Sequence, residues 1–447
     1  MAPSAAPSPP AGTTKWKIRL QMMSLCWTMF LMGWNDGSLG PLLPRIQKVY
    51  HVNFFVVSLI FISNCLGIIL SGLMNVYLSQ RLGFGKVLVI SLLFSMYLNL
   101  WVFKVISLGS ALSVIVYCIQ IPAPPFPVFI LSYFINGFSM GLQGAHVNGY
   151  VTSLKRPASK LGIAHCAYGL GAFSAPLLAT RVAQLPRWSF QYLASIGIAL
   201  VNVSLLAFVF RFRKQDSETF VVSTPVQKQI TAVHTLECMH EIGESMEERE
   251  TDHENHYVQI MRHKTIHLIA LFILFYVGVE VTIGGWIVSY VIDIRGGGPS
   301  AGYISSGFFG GLALGRVSLL WVNRKLGNRR AVLIYMFLAM IFELVVWTVP
   351  SLISGAVAIS LIGLILGPIY PIAMDETGKV LPRWLCTGAI GWIGAFGTAG
   401  SALMPFTAGV LAQQKGIWTL QPLLLSMMAL MVGLWVVVPR QDPRRED

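Results

Sequence analysis

Residues 276–290 read YVGVEVTIGGWIVSY, a stretch apolar enough for the inside of a lipid bilayer that nevertheless carries a carboxylate, Glu280. Outward from it the apolar run extends over about 265–291, which exceeds the roughly 20 residues a helix needs to cross a hydrocarbon layer about 30 Å thick. Similar runs recur near 19–41, 54–79, 86–121, 125–153, 160–184 and 188–210, and again near 300–321, 331–350, 353–374, 385–412 and 417–438. The expected fold class is therefore an all-α membrane protein with twelve transmembrane helices in two pseudo-symmetric six-helix bundles. Composition agrees: 55% of the 447 residues are hydrophobic and 11% are charged, against about 25% charged in ordinary soluble domains.

The formal charge of +13 could suggest a nucleic-acid partner, but the basic residues are sorted by loop. One side of the membrane receives Lys15, Lys17, Arg19, Arg81, Lys86, Lys155, Arg156, Lys160, Arg324, Lys325, Arg329, Arg330, Lys379, Arg383, Arg440, Arg444 and Arg445. The other receives only Arg45, Lys48, Arg181, Arg187, Arg295 and Lys415. Positive charge stays cytoplasmic, so both termini are expected there, and the plasma membrane is expected ahead of the vacuole. The domains expected are a disordered arm over 1–18, a bundle over 19–210, a cytoplasmic linker over 211–264, a bundle over 265–438 and a tail over 439–447. The linker holds ten of the nineteen acidic residues, including HEIGESMEERETDHE from His240. Its histidines His234, His240, His253, His256 and His263 invite a metal hypothesis, but solvated histidines in an acidic loop are the ordinary case and the cysteines show no metal-ligand spacing, so no metal or cofactor is expected.

The two halves repeat. DGSLG at 36–40 aligns with EVTIG at 280–284, which sets Asp36 opposite Glu280, and RLGFGK from Arg81 aligns with KLGNRR from Lys325 at the same offset of 244. GFSMG at 137–141 aligns with GLILG at 363–367 at an offset of 226, and GAF at 171–173 with GAF at 394–396 at 223. The first half thus carries extra residues, and they fall where the third span is too long. Lys86 to Pro122 as helix would cover about 54 Å. An insertion near 96–109 is expected, either a retained intron read in frame or a long extracellular loop.

The loops GLMNVYLSQRLGFGK and GRVSLLWVNRKLGNRR resemble the cytoplasmic Gly/Arg motif of the major facilitator superfamily. NDGSLGPLLP, NGFSMGLQGAHVNGY, HCAYGLGAFSAP and YVGVEVTIGGW are similar to its fucose–proton symporter branch, fungal members included. That resemblance implies alternating access with proton coupling through membrane carboxylates, Asp36 and Glu280 matching the branch's acids in helices one and seven. The branch commonly has a further acid in helix four where this chain has Gly144, which leaves uniport open.

The residues point the same way. Ionised carboxylates are costly at mid-bilayer and usually face a cavity or a partner. Asp36 and Glu280, placed alike in both halves, are the proton-coupling candidates, whereas Glu343 in MIFELVVW lacks a repeat partner and is expected only to pair with another helix. For the solute, Asn35, Gln143, His146, Asn148, His165 and Tyr168 offer donors and acceptors for a polyol, with Gln143, His146 and Tyr150 expected on one face of helix four. Trp286, Tyr370 and Trp392 offer ring faces to a sugar, with Trp34 a further possibility. Gly307, Gly311 and Gly315 at four-residue spacing predict tight packing of helix eight.

No phosphate loop, metal triad or nucleophile elbow occurs, so no enzyme activity is expected. The function expected is secondary active transport of a small polar solute, a sugar first, by proton symport. Exporters of drugs or secondary metabolites and a non-transporting membrane sensor are the alternatives. Expected partners are the solute, protons and the lipid bilayer, without nucleic acid, and the chain is expected to act as a monomer.

Overall fold

The computed structural model describes residues 11–81, 106, 108–152, 154, 157–211, 261–380 and 383–439, and no strand occurs among them. The helices are α1 (Ala11–Tyr50), α2 (Phe54–Arg81), α3 (Leu108–Gln120), α4 (Phe126–Thr152), α5 (Pro157–Val182) and α6 (Phe190–Arg211). After the linker, which lies largely outside the described residues, come α7 (Lys264–Arg295), α8 (Tyr303–Ser318), α9 (Leu320–Leu326), α10 (Asn328–Thr348), α11 (Leu352–Leu366), α12 (Ile369–Val380), α13 (Arg383–Lys415) and α14 (Leu420–Val437).

Among the described residues nine stretches are long and apolar enough to span a membrane, and a tenth follows if 299–326, bent by 53° where α8 meets α9, counts as one. Residues 352–379 likewise cover one span in two helices. Local chemistry sets the ends. Asn53 Oδ1 accepts from the Val56 amide at 2.8 Å and opens α2, Ser351 Oγ accepts from the Ser354 amide and opens α11, and Gly296 closes α7 at a φ of 63° that a side chain would resist. The interhelical contacts are built on small residues because lipid provides no hydrophobic drive between helices.

The chain forms two units, one of residues 1–38 and 66–215 and another of 39–65 and 216–447. The first unit packs Leu25, Met29, Ile106, Val147, Tyr150, Val151, Ala164 and Leu206 into a core. Within it α1 and α5 approach backbone to backbone: a β-carbon on Gly33 or Gly37 would strike the Tyr168 or Ala172 main chain, and one on Gly171 would strike Phe30 and Trp34. A buried polar chain crosses the unit. Thr28 donates to Asn202 Oδ1 at 2.8 Å, Asn202 donates to Ser110 Oγ at 2.9 Å and Gln143 Oε1 at 3.2 Å, and Gln143 donates to Ser113 and Ser139. Residues 96–105 of the expected insertion lie outside the described residues, but Ile106 is in the core and Gly109 fits against Gln143 while its carbonyl accepts from Ser139 at 2.6 Å. Ile106 and Gly109 of that segment are therefore part of the packed first unit.

In the second unit α7 is flanked by α13 and α14, and Gly278 and Gly400 allow close approach to Met404 and Leu274. The three glycines of α8 lie against α11: those at 307 and 311 face Ser360, the one at 315 faces Leu364, and Gly363 lies against Phe308 in return. The hairpin 39–65 groups with this unit although its helices begin or end in the other. The reason is contact at small residues: Gly40 meets the Gly284 backbone, Phe61 covers Gly285 and Trp286, and Gly409 admits Ser58.

Candidate functional site

In the first unit, the glycine contacts between α1 and α5 bring the half-buried Asp36 beside Tyr168, whose hydroxyl donates to Asp36 Oδ2 at 2.6 Å. Asn35, next along α1, directs its amide to Met140 Sδ at 2.9 Å, a weak acceptor. His165 lies one turn before Tyr168 on α5 and is half-buried. His146 on α4 is half-buried too, and its Nε2 has no hydrogen-bond partner. Gly144 faces the Met32 side chain.

In the second unit, Glu280 faces Arg316 of α8 at 3.7 Å, with 13% and 19% of the two side chains exposed. Tyr276 and Tyr370 stand close enough to feel both charges, their rings 6.2 Å apart. Tyr276 donates to the Leu366 carbonyl at 3.2 Å. Trp392 on α13 donates to His267 Nδ1 at 3.3 Å, which leaves His267 Nε2 to donate to the Met261 carbonyl.

The profile of one family covers residues 25–384. The chain belongs to the Major Facilitator Superfamily. Its members are transporters and not enzymes, and the chain has that superfamily's twelve-helix, all-α membrane fold. It is 26% identical over 436 residues to Bypass of stop codon protein 6 of Saccharomyces cerevisiae (strain ATCC 204508 / S288c), covering 95% of this chain and 83% of that one. Among solved structures it resembles a D-xylose-proton symporter, with a TM-score of 0.69 at 12% identity over 94% of this chain and 98% of that one. It also resembles the nucleoside transporter NupG, with a TM-score of 0.62 at 13% identity over 93% and 98% of the two chains. A sulfate-bound peptide transporter POT scores 0.66 at 13% identity over 93% of each chain.

Against this facilitator fold, three expectations change. Gln143 is only 1% exposed and uses its amide within the buried polar chain, while Tyr150 donates to Gln21 Oε1 at 2.6 Å, so neither shares a solute-facing surface with His146. Residues three apart on a helix diverge by about 60°, which is enough to turn Gln143 into the bundle. Trp286 is 0% exposed, donates to the Pro405 carbonyl at 2.8 Å and packs against Phe54 and Phe61, which makes it a packing residue. Trp34 similarly donates to Ser195 Oγ at 3.0 Å. Glu343, expected to pair, has an Oε1 with no partner. Asn148 is exposed and Trp392 half-buried.

Sequence reasoning passed over Arg316, reading GRVSLL only as a loop motif; a guanidinium within an apolar helix was the available signal. His267 and Tyr276 gave no comparable signal, since a histidine near a span end and a tyrosine within one are commonplace.

Proposed function

We propose that this facilitator is a secondary active transporter that moves a small polar solute, a sugar in the first instance, together with protons by alternating access. It would work at the plasma membrane, as a monomer, with both termini in the cytoplasm. The observation that carries this reading is that each unit holds one carboxylate at the corresponding place in the repeat, Asp36 and Glu280, and each meets a functional side chain of a neighbouring helix. Those partners are not related by the repeat. The offset of 244 puts Gly72 where the second half has Arg316, and that of 223 puts Gly391 opposite Tyr168. Asp36, bonded by a neutral phenol, is suited to exchange a proton, while Glu280 has its charge balanced by a fixed cation.

For the solute, His146 and His165 with Asn35 and Asn148 in one unit, and Tyr370 and Trp392 in the other, remain the proposed contacts. The neighbouring structures are titled for a pentose with a proton, a nucleoside and a peptide, all polar solutes, but at 12–13% identity they speak for the fold. The choice of a sugar rests on the branch resemblance around Asp36 and Glu280.

The test is uptake by purified protein in liposomes, screened over sugars with and without a pH gradient. Gradient-driven accumulation that Asp36→Asn and Glu280→Gln each abolish, with exchange surviving, is expected. Uptake that ignores the gradient would make the protein a uniporter, as Gly144 allows, and resistance to toxic compounds on expression, without uptake of any sugar, would make it an exporter.

A further inference from the structure

Glu343 is the membrane carboxylate that the transport reading does not use. It lies on α10 with 2% of its surface exposed, and its Oε1 has no hydrogen-bond partner. It is not alone. Gln421, in the first turn of α14, is 0% exposed and has neither its amide nitrogen nor its oxygen partnered. Tyr290 of α7 neighbours both, since its hydroxyl feels the charge of Glu343 and lies beside the Gln421 amide. Three helices thus bring polar groups to one buried place and leave atoms there unsatisfied, whereas buried polar groups in proteins are ordinarily bonded.

We propose that Glu343 is a proton-binding site of the second unit, separate from the pair at Glu280, and that it holds one exchangeable proton as the neutral acid. The surroundings require neutrality. A bare carboxylate out of water needs a cation or several donors to be tolerated, and the available cation is committed elsewhere. Arg295 directs its Nη2 to the Val346 and Trp347 carbonyls at 2.7 and 2.8 Å, and its guanidinium carbon lies 5.9 Å from the Tyr290 ring centre. No ion pair reaches Glu343 among the described residues.

The other elements packed on α10 add no compensating charge. Neither α11 nor α14 contains a titratable residue. Arg324 and Lys325 of α9, and Asp375, Glu376 and Lys379 of α12, sit at the far end of α10, where Asn328 bonds to Asp375 at 2.6 Å. That end is about 22 Å away along the helix axis. No group of three or more His, Cys, Asp or Glu that could hold a metal ion occurs among the described residues. A proton on Glu343 turns an acceptor-only carboxylate into a group with an O–H donor, the kind of partner that the orphan Gln421 Oε1 accepts from.

The experiment is infrared spectroscopy of the purified full-length protein in lipid nanodiscs, reading the carbonyl stretch of protonated carboxylic acids at neutral pH. An Asp36→Asn/Glu280→Gln background removes the other two mid-span acids, so failure of the coupling reading leaves this measurement intact. The band is expected to be present in that background, lost when Glu343→Gln is added, and retained at a shifted frequency with Glu343→Asp. Should the glutamine variant not fold, the shift in the aspartate variant assigns the band by itself. Absence of the band at neutral pH would overturn the proposal, as would its disappearance on adding sodium, which would mark a cation site instead.

Discussion

Removing the Tyr168 hydroxyl with Tyr168→Phe takes from Asp36 a hydrogen bond of a kind worth about 1.5–3 kcal/mol when one partner is charged. If that bond positions the carboxylate for proton transfer, kcat/KM for gradient-driven uptake is expected to fall about tenfold or more, with protein yield and Tm little changed. Gln143→Leu is expected to do the reverse. It takes one hydrogen bond each from Ser113, Ser139 and Asn202 in a dry interior, so Tm should drop by the equivalent of about 1–3 kcal/mol, measured by thermal unfolding in detergent, before any effect specific to the solute is seen. The contrast separates residues the sequence could assign from those it could not. Asp36 and Glu280 stood out as candidates because charge inside an apolar run is costly and the repeat set one against the other. Gln143 was misread because a lone polar residue on a membrane helix is equally suited to a solute or to a neighbour's amide. Arg316→Ala should cost uptake as heavily as losing Glu280, since it strips the carboxylate of the cation it faces.

For the helices, glycine decides which substitutions are tolerated. A β-carbon on Gly311 would collide with the Ser360 carbonyl, whereas one on Gly355, only four residues into α11, would meet open space. Gly311→Ala is therefore expected to lower stability by about 1–3 kcal/mol through overpacking, and Gly355→Ala to be neutral or to raise it by about 0.5–1 kcal/mol through lower backbone entropy. Thermal unfolding of the two variants side by side checks this, and equal effects would mean that α8 and α11 are not held at that distance. The four-residue spacing in α8 made this contact legible in advance. The approach of α1 to α5 was not, although Gly33 and Gly37 share that spacing on α1, because nothing in one sequence pairs them with Gly171 of α5.

At the level of the whole chain, the pattern of spans could be read from apolar run length, since lipid thickness imposes one length on every crossing. The grouping of 39–65 with the second unit could not, because it depends on which small residues meet across sequence distances of more than two hundred positions. Replacing residues 216–258 by a Gly/Ser segment of equal length is expected to leave uptake unchanged, and its loss would favour signalling through the linker. Cys65, at the end of the hairpin, is buried and directs its Sγ to the Thr398 carbonyl at 3.4 Å. Maleimide can alkylate that sulfur only after the hairpin parts from α13. In a variant whose remaining thiols are replaced, the labelling rate would act as a clock for that opening, and a solute that speeds or slows the clock would reveal itself before any flux is measured.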